Sequence, residues 1–418
     1  MAPTAPFNPP SSELPGKPVV PQWIPPPLTQ EKENFAELKS IGLSLLDSDD
    51  PAVVDSLVQQ VKTAIRNDGF LFLENYGISL EQLHRQFALA QCLYANISEE
   101  DKQRLLFDPE TGLWSGYKHP YGFKRQRGVP DGSEQFNWYP REWQDINHTP
   151  TCLHPLMDEI ESFCNYLTKS VNRRLLTLFS RVLELADDYL WEKVRSHGTP
   201  TGEGYFRHAL FRLVEKQTAE ASKDLRMHGH TDFGLTTLLF SVPISCLQIW
   251  GRDEQRVSSF HIVNVVLSKA RRWYYVPYKP GTLVINIGDT LEIVSGGHFK
   301  ATRHRVFKPP VDQLNQERLS LVLFNSSMGS LRMTPASGSP LIQREGCVED
   351  QGVYKEFKQR TLAGSLVPTN KEWHEIQIAT ARDPTDTVRN RVGADQVVID
   401  GKLMQQREYM GVKVVLPV

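Results

Sequence analysis

The chain has 418 residues, of which 40% are hydrophobic and 23% charged, and its 47 basic and 49 acidic side chains leave a net charge of −2. That suits one large domain with additions, or two domains, and argues against nucleic acid or an anionic membrane as the main partner. No apolar run approaches the ~20 residues of a spanning helix, and no basic-then-apolar leader opens the sequence. Five scattered cysteines, Cys92, Cys152, Cys164, Cys246 and Cys347, predict reduced thiols and a cytoplasmic location. Without a secretory leader, the glycosylation-like Asn96–Ile97–Ser98 and Asn325–Ser326–Ser327 read as chance.

Residues 1–28 are rich in proline, which fixes φ and removes donors. They predict an extended tail, along the body or disordered; a ligand for a proline-binding module is the alternative. Leu38–Leu46 reads as a first strand. A helix starts at Asp50–Pro51, carries the apolar stripe Val54, Leu57, Val58, Val61 and Ile65, and stops at Gly69. Phe70–Leu73 reads as a strand, and Leu80–Tyr94 and Glu99–Leu106 as helices. Between Asp108 and Trp143 the chain is aromatic and glycine-rich (Trp114, Tyr117, Tyr121, Phe123, Phe136, Trp138, Tyr139), which predicts a loop, either over a pocket or simply packed on the surface. Leu156–Leu185 carries Ile160, Phe163, Cys164, Leu167, Val171, Leu175 and Leu178 at helix spacing, one long helix bracing a sheet.

After Gly204 the texture becomes β-rich. Strands are expected at Ala209–Val214, Leu235–Ser241, Cys246–Trp250, His261–Val266, Trp273–Val276, Thr282–Ile287, Lys300–Phe307 and Arg318–Phe324, with turn signals between most of them. Val353–Leu362 reads as a helix, and Asp400–Gly401 can turn a hairpin. No internal repeats are visible. The fold class expected is α+β with a mainly β core: a double-stranded β-helix, or jelly roll, braced by N-terminal helices. The expected divisions are the tail 1–28, a mainly helical region 29–200, the jelly roll 201–345, and a C-terminal helix and extension 346–418.

The stretch Leu225–Gly234 reads LRMHGHTDFG. Side chains at i and i+2 on a strand share a face, so His230 and Asp232 can offer an imidazole nitrogen and a carboxylate oxygen to one metal. With a second histidine this becomes the two-His, one-carboxylate arrangement of non-heme Fe(II) oxygenases, which leaves open positions on the metal. His298 and His304 compete for that role. His298 follows Gly–Gly at a turn; His304 lies in an alternating strand pattern that holds a ligand more firmly, and is chosen. His228 is a rival for His230, but a His228/His230 pair lacks the carboxylate. Arg303 and Arg305 should point away from the His304 face. Arg318 and Ser320 again share a face; an arginine there can hold a carboxylate through two parallel hydrogen bonds, and the serine adds a third. The far carboxylate of 2-oxoglutarate is one candidate. A structural salt bridge at Arg318/Ser320, or zinc at the triad, is the blander reading. His208 and Arg212 read as core or rim residues, and Tyr117, Tyr121, Phe136 and Trp138 as substrate contacts or packing.

The motifs GHTDFG (Gly229–Gly234), LVINIGDTLE (Leu283–Glu292), SGGHFKATRHRV (Ser295–Val306) and ERLSLVLF (Glu317–Phe324), with DGFLFLENYG (Asp68–Gly77) upstream, resemble the Fe(II)/2-oxoglutarate-dependent dioxygenases of the isopenicillin N synthase-like group, especially its fungal members. The resemblance spans roughly residues 36–330. It implies iron held by His230, Asp232 and His304, a carboxylate held by Arg318 and Ser320, and Fe(II), 2-oxoglutarate and O2 as cofactor and co-substrates. It also implies oxidative decarboxylation of 2-oxoglutarate to succinate and CO2, coupled to hydrogen abstraction from a small-molecule substrate. Hydroxylation, desaturation or ring closure would follow, in secondary metabolism. Many members carry an Asn-x-Tyr on the strand before His-x-Asp; here Phe211–Lys216 contains no such tyrosine. Arg-x-Ser also occurs in isopenicillin N synthase, where it grips the substrate's own carboxylate. An iron/O2 oxidase or cyclase that uses no 2-oxoglutarate is therefore the alternative enzyme, and a non-catalytic jelly-roll binding protein the alternative from another class. Oligomeric state is left open.

Overall fold

The computed structural model describes residues 5–13, 15–108, 111, 113–120, 124–125, 129–130, 132–194, 204–222, 224–252, 271–348, 355–380, 395–399, 402–409 and 412–417. The proline-rich start lies along the body. Phe7 and Trp23 are buried, Trp23 stacks on Phe87 with ring centroids 4.4 Å apart, and the Gln313 amide donates to the Pro27 carbonyl at 2.8 Å.

Only Ser40–Gly42 (β1) of the first expected strand is extended; Leu43–Asp47 coils into a 3-10 turn that buries Leu43 and Leu46. Helix α1 (Pro51–Asn67) starts where expected, with the Asp50 carboxylate accepting from the Ala52 N–H. Gly69 then takes φ +64, and a Cβ there would lie 1.9 Å from the Lys300 carbonyl oxygen, so only glycine fits. Strand β2 (Phe70–Glu74) follows. Next come α2 (Leu80–Asn96), with a Ser79/Gln82 capping box, and α3 (Glu99–Arg104).

The aromatic stretch is not a loop over its whole length. It contains β3 (Gly116–Lys118), the short ladder β4 (Lys124–Arg125) with β5 (Val129–Pro130), and the fully buried β6 (Ser133–Trp138). Tyr117, Phe136 and Trp138 are core residues, whereas Tyr121 lies outside the described residues. The long helix is built as α4 (Met157–Tyr166) and α5 (Arg173–Val182), joined by a π-helical segment over Leu167–Asn172. Helix α6 (Tyr189–Val194) follows.

The β-rich half contains β7 (Tyr205–Phe211), helix α7 (Lys216–Ser222), β8 (Leu225–His230), β9 (Thr236–Phe240), β10 (Leu247–Arg252), β11 (Arg271–Tyr275), β12 (Leu283–Ile287), helix α8 (Asp289–Val294), β13 (His304–Phe307) and β14 (Arg318–Asn325). The strand expected at His261–Val266 lies outside the described residues. Beyond come α9 (Pro340–Glu345), α10 (Lys355–Leu362) and α11 (Asn370–Thr380), and then β15 (Asp395–Ile399), β16 (Lys402–Tyr409) and β17 (Val412–Pro417). Ile399 pairs with Lys402, so β15 and β16 run antiparallel as neighbours; the turn expected at Asp400–Gly401 itself lies outside the described residues.

Two sheets form the jelly roll. The larger has eight strands in the order β1-β2-β12-β9-β14-β7-β6-β3, and the smaller has four, β11-β10-β13-β8. The expected boundary at residue 200 does not divide the larger sheet, since β1, β2, β3 and β6 all come from before it. The outer face of the large sheet packs on α1, α2, α4 and α5 in one continuous core that includes Leu57, Phe87, Phe163, Phe179, Phe206 and Leu321. Between the sheets, Ala209, Phe211, Ile244, Cys246 and Val306 close one end of the barrel. Among the described residues no helix is long and apolar enough to cross a membrane.

Candidate metal centre

His304 opens β13 and stands directly opposite His230, the last residue of β8. Their rings lie 4.4 Å apart. Directly paired residues of adjacent strands share a face, which puts the two imidazoles side by side; the register shifts fall further along, between His304 and Val306 and between Val306 and Phe307. Asp232 lies just past the end of β8, not on it. The same-face rule for strands therefore does not place it. The chain turns at Asp232, fixed by the Asp289 N–H donating to the Asp232 carbonyl at 2.7 Å. His230, Asp232 and His304 form a group whose ligand atoms all lie within 4.8 Å of one another.

The carboxylate's two oxygens have different surroundings. Oδ2 accepts from the Thr237 hydroxyl at 2.6 Å and from the Asn286 amide at 2.8 Å. Oδ1 is turned to the histidines, 3.6 Å from Nε2 of each. Burial opposes the charge on Asp232, but His304, then His230 and the Thr237 hydroxyl outweigh it and hold the carboxyl far below its usual range. His304 Nδ1 lies 3.2 Å from the Thr302 carbonyl oxygen. A carbonyl can only accept, so Nδ1 carries a proton and Nε2 is the ring atom turned to Asp232, free to ligate a metal once it gives up its own proton. Phe70 packs edge-on against this ring at 5.6 Å.

The rival His298 is occupied elsewhere: Nε2 meets the Gly346 carbonyl at 2.8 Å and Nδ1 meets Arg66. Of His228, only its place in β8 is described. Arg305 is turned outward over Trp273, 4.2 Å from the ring centroid, and Arg303 donates to the Gly229 carbonyl at 3.2 Å. His208 is fully buried on the opposite face of β7, edge-on to Trp138 at 5.0 Å. Arg212 pairs with Glu134 at 2.6 Å.

Arg318 and Ser320 stand opposite Phe211 and Ala209 across β14 and β7. The same face of β14 continues through Val322 to Phe324, which stands opposite Thr237 of β9. Thr237 holds Asp232, so this is the face that looks into the barrel. Arg318 is 5% and Ser320 1% exposed, yet Arg318 Nε and Ser320 Oγ find no hydrogen-bond partner among the described residues. Buried donors without partners are costly and mark a place for a ligand oxygen. The Arg318 guanidinium lies 5.4 Å from the Phe211 ring centroid, so a phenyl ring stands beside it and no phenol. Two imidazoles and one carboxylate, with a buried unsatisfied Arg/Ser pair on the same inward surface, fit Fe(II) and a dicarboxylate co-substrate.

Sequence reasoning missed Thr237 and Asn286. Both sit on strands already expected, but their role appears only once β9 and β12 are paired, with Asn286 opposite Thr237.

The family model described as "2OG-Fe(II) oxygenase superfamily" matches residues 208–327, and that described as "non-haem dioxygenase in morphine synthesis N-terminal" matches residues 38–155. Homoarginine-6-hydroxylase 2-ODD-C23 of Glycine max is 26% identical over 320 residues, covering 70% of this chain and 86% of that one. Validamycin A dioxygenase of Streptomyces hygroscopicus subsp. limoneus is 24% identical, covering 67% and 74%. A full-length Neurospora crassa protein, solved in complex with alpha-KG and thymine, superposes with a TM-score of 0.64 at 17% identity, over 84% of this chain and 99% of that one. The chain is therefore a member of the 2OG-Fe(II) oxygenase superfamily, an Fe(II)- and 2-oxoglutarate-dependent dioxygenase.

Proposed function

We propose that His230, Asp232 and His304 are the iron ligands, that Arg318 and Ser320 grip the far carboxylate of 2-oxoglutarate, and that the enzyme oxidises a small organic molecule in secondary metabolism, as an isopenicillin N synthase-like member of the superfamily. Residues 201–345 supply the proposed ligands, while 29–200 add β1, β2, β3 and β6 to the larger sheet and the helices that brace it. The observation that carries the assignment is the pairing of the His/Asp/His cluster with two buried, unsatisfied donors on one inward surface.

When bound, iron and 2-oxoglutarate supply oxidising power from O2, with succinate and CO2 as the co-substrate's products. The chain's own residues do the rest. Thr237 and Asn286 tie down Oδ2, so Asp232 presents Oδ1 in one fixed direction. The Thr302 carbonyl sets the His304 tautomer, and Phe70 fixes the plane of its ring. Arg318 neutralises one carboxylate charge inside the barrel, while Phe211, Cys246 and Val306 keep water from that end.

Under anaerobic conditions, protein loaded with Fe(II) should develop a visible metal-to-ligand band when 2-oxoglutarate is added. Arg318→Ala should weaken the 2-oxoglutarate dependence of that band, and His304→Ala should remove it. A colourless titration with iron demonstrably bound would overturn the assignment.

A further inference from the structure

Further along the same inward face lies a second polar group. Arg207 of β7 stands opposite Val322 on one side and Asn137 of β6 on the other. Its Nε donates to Asn137 Oδ1 at 2.6 Å and its Nη2 to the Tyr205 hydroxyl at 3.3 Å. The guanidinium carbon is 5.0 Å from the Phe324 ring centroid, 5.4 Å from Tyr205 and 6.0 Å from Trp114. Two nitrogens are thus committed to holding the side chain in place, and Nη1 has no hydrogen bond to a described residue. Asn137 is 1% exposed, and its Nδ2 is buried without a partner among the described residues. An anchored guanidinium and an unsatisfied amide nitrogen therefore stand side by side, and both can only donate.

Their position relative to the triad is set by register. Tyr205 stacks on Phe324 at 4.8 Å, and Phe324 stands opposite Thr237, whose hydroxyl binds Asp232. Arg318 stands opposite Phe211, four residues along β7 from Arg207, or roughly 14 Å at strand rise. The Asp232 end of the face is therefore the Arg207 end, and Arg318 lies toward the other.

Charge points the same way. The inward positions of β6, β7 and β14 carry Arg207 and Arg318 and no carboxylate. Fe(II) and the 2-oxoglutarate dianion cancel, as do Asp232 and Arg318. The partly buried Arg207 remains, beside the inward Lys118 of β3, so this part of the face is cationic and favours an anion.

We propose that Arg207 Nη1 and Asn137 Nδ2 bind a carboxylate of the substrate. The substrate is a small carboxylic acid whose flat or apolar body lies against Tyr205, Phe324 and Trp114. This rests on the iron and 2-oxoglutarate assignment above.

The test uses full-length protein with Mn(II) and saturating 2-oxoglutarate, titrated with benzoate and with its neutral twin benzamide while tryptophan fluorescence is followed. Benzoate should bind saturably and benzamide about tenfold or more weakly. Arg207→Gln should weaken benzoate by about ten- to a hundredfold, the effect of losing a charge-assisted hydrogen bond. Asn137→Asp, which sets a carboxylate against Arg207, should abolish benzoate binding while 2-oxoglutarate still binds. Equal affinity for benzoate and benzamide, unchanged affinity in both variants, no saturation by about 50 mM, or competition with 2-oxoglutarate would each overturn the proposal. The anaerobic Fe(II)/2-oxoglutarate band on the same preparations separates the two ideas. If the band forms normally and benzoate fails, the carboxylate grip alone is wrong; if the wild-type band is missing, the iron assignment is.

Discussion

At Asp232 one oxygen is held and the other is offered. Asp232→Ala should abolish iron binding and turnover while the far-ultraviolet circular dichroism spectrum stays native, because the change removes a proposed ligand and not core packing; a collapsed spectrum would contradict it. Asn286→Leu leaves Oδ2 with Thr237 alone, and should cost about ten- to a hundredfold in iron affinity, the usual effect of losing an outer partner. His208 gives a pH prediction. Burial lowers its pKa from 6.5 to about 3, and both ring nitrogens lack partners among the described residues. The folded protein keeps it neutral, whereas the unfolded chain takes up a proton near pH 6.5. Stability should therefore fall as pH drops from 6.5 toward 3. His208→Phe, edge-on to Trp138 and Phe206, should flatten that slope in urea melts run at stepped pH. That His304 and not His298 would stand beside His230 and Asp232 was legible, because an alternating strand fixes a side chain and a Gly–Gly turn does not. The partners of Asp232 were not, since strand pairing is a non-local fact that periodicity does not encode.

Among the elements, Gly69 joins α1 to β2 and touches the segment that leads into His304. Gly69→Ala meets both a left-handed φ and the Lys300 carbonyl. It should destabilise the fold by about 2 kcal/mol or more in denaturant titrations, and lower iron affinity through the displaced 300–302 segment. Most strands of the β-rich half were legible from alternation and turn residues. The aromatic stretch was not, for a physical reason: on β3 and β6 the inward side carries Lys118, Ser133, Gln135 and Asn137, while the outward side carries Tyr117, Glu134, Phe136 and Trp138. A strand whose polar face looks inward inverts the pattern that separates strand from surface loop, and a polar barrel interior is what a site for a charged small molecule requires. The π-helical segment in the long helix was also invisible, because it preserves the apolar face while changing the winding.

For the molecule as a whole, the first residues are part of the stability of the rest. Phe7 and Trp23 bury against α2 and α4, and Thr29 and the Gln30 N–H both donate to Asp312, each at 2.7 Å. Removing residues 1–28 should lower stability by about 3 kcal/mol, the order expected for two large apolar side chains returned to water, and should appear as a lower melting temperature. The extended course of this stretch was readable from its prolines. Its anchoring was not, because Phe7 and Trp23 are isolated aromatics whose contacts lie far along the chain. Helix α11 was likewise missed: Trp373 is fully buried, but a short segment with little apolar periodicity gives no signal until the surface it covers is known.

The pairing of His230 with His304 on adjacent strands has a practical corollary. Strand pairing holds these imidazoles close together, tilted by 55°, before any ion arrives, so the proposed metal site would act as a ready-made chelator. Nitrogen-rich chelators prefer nickel, copper and zinc to ferrous iron along the Irving–Williams series. Material recovered from a nickel column would therefore carry the wrong ion and look inert, until stripped and recharged with ferrous salt under argon.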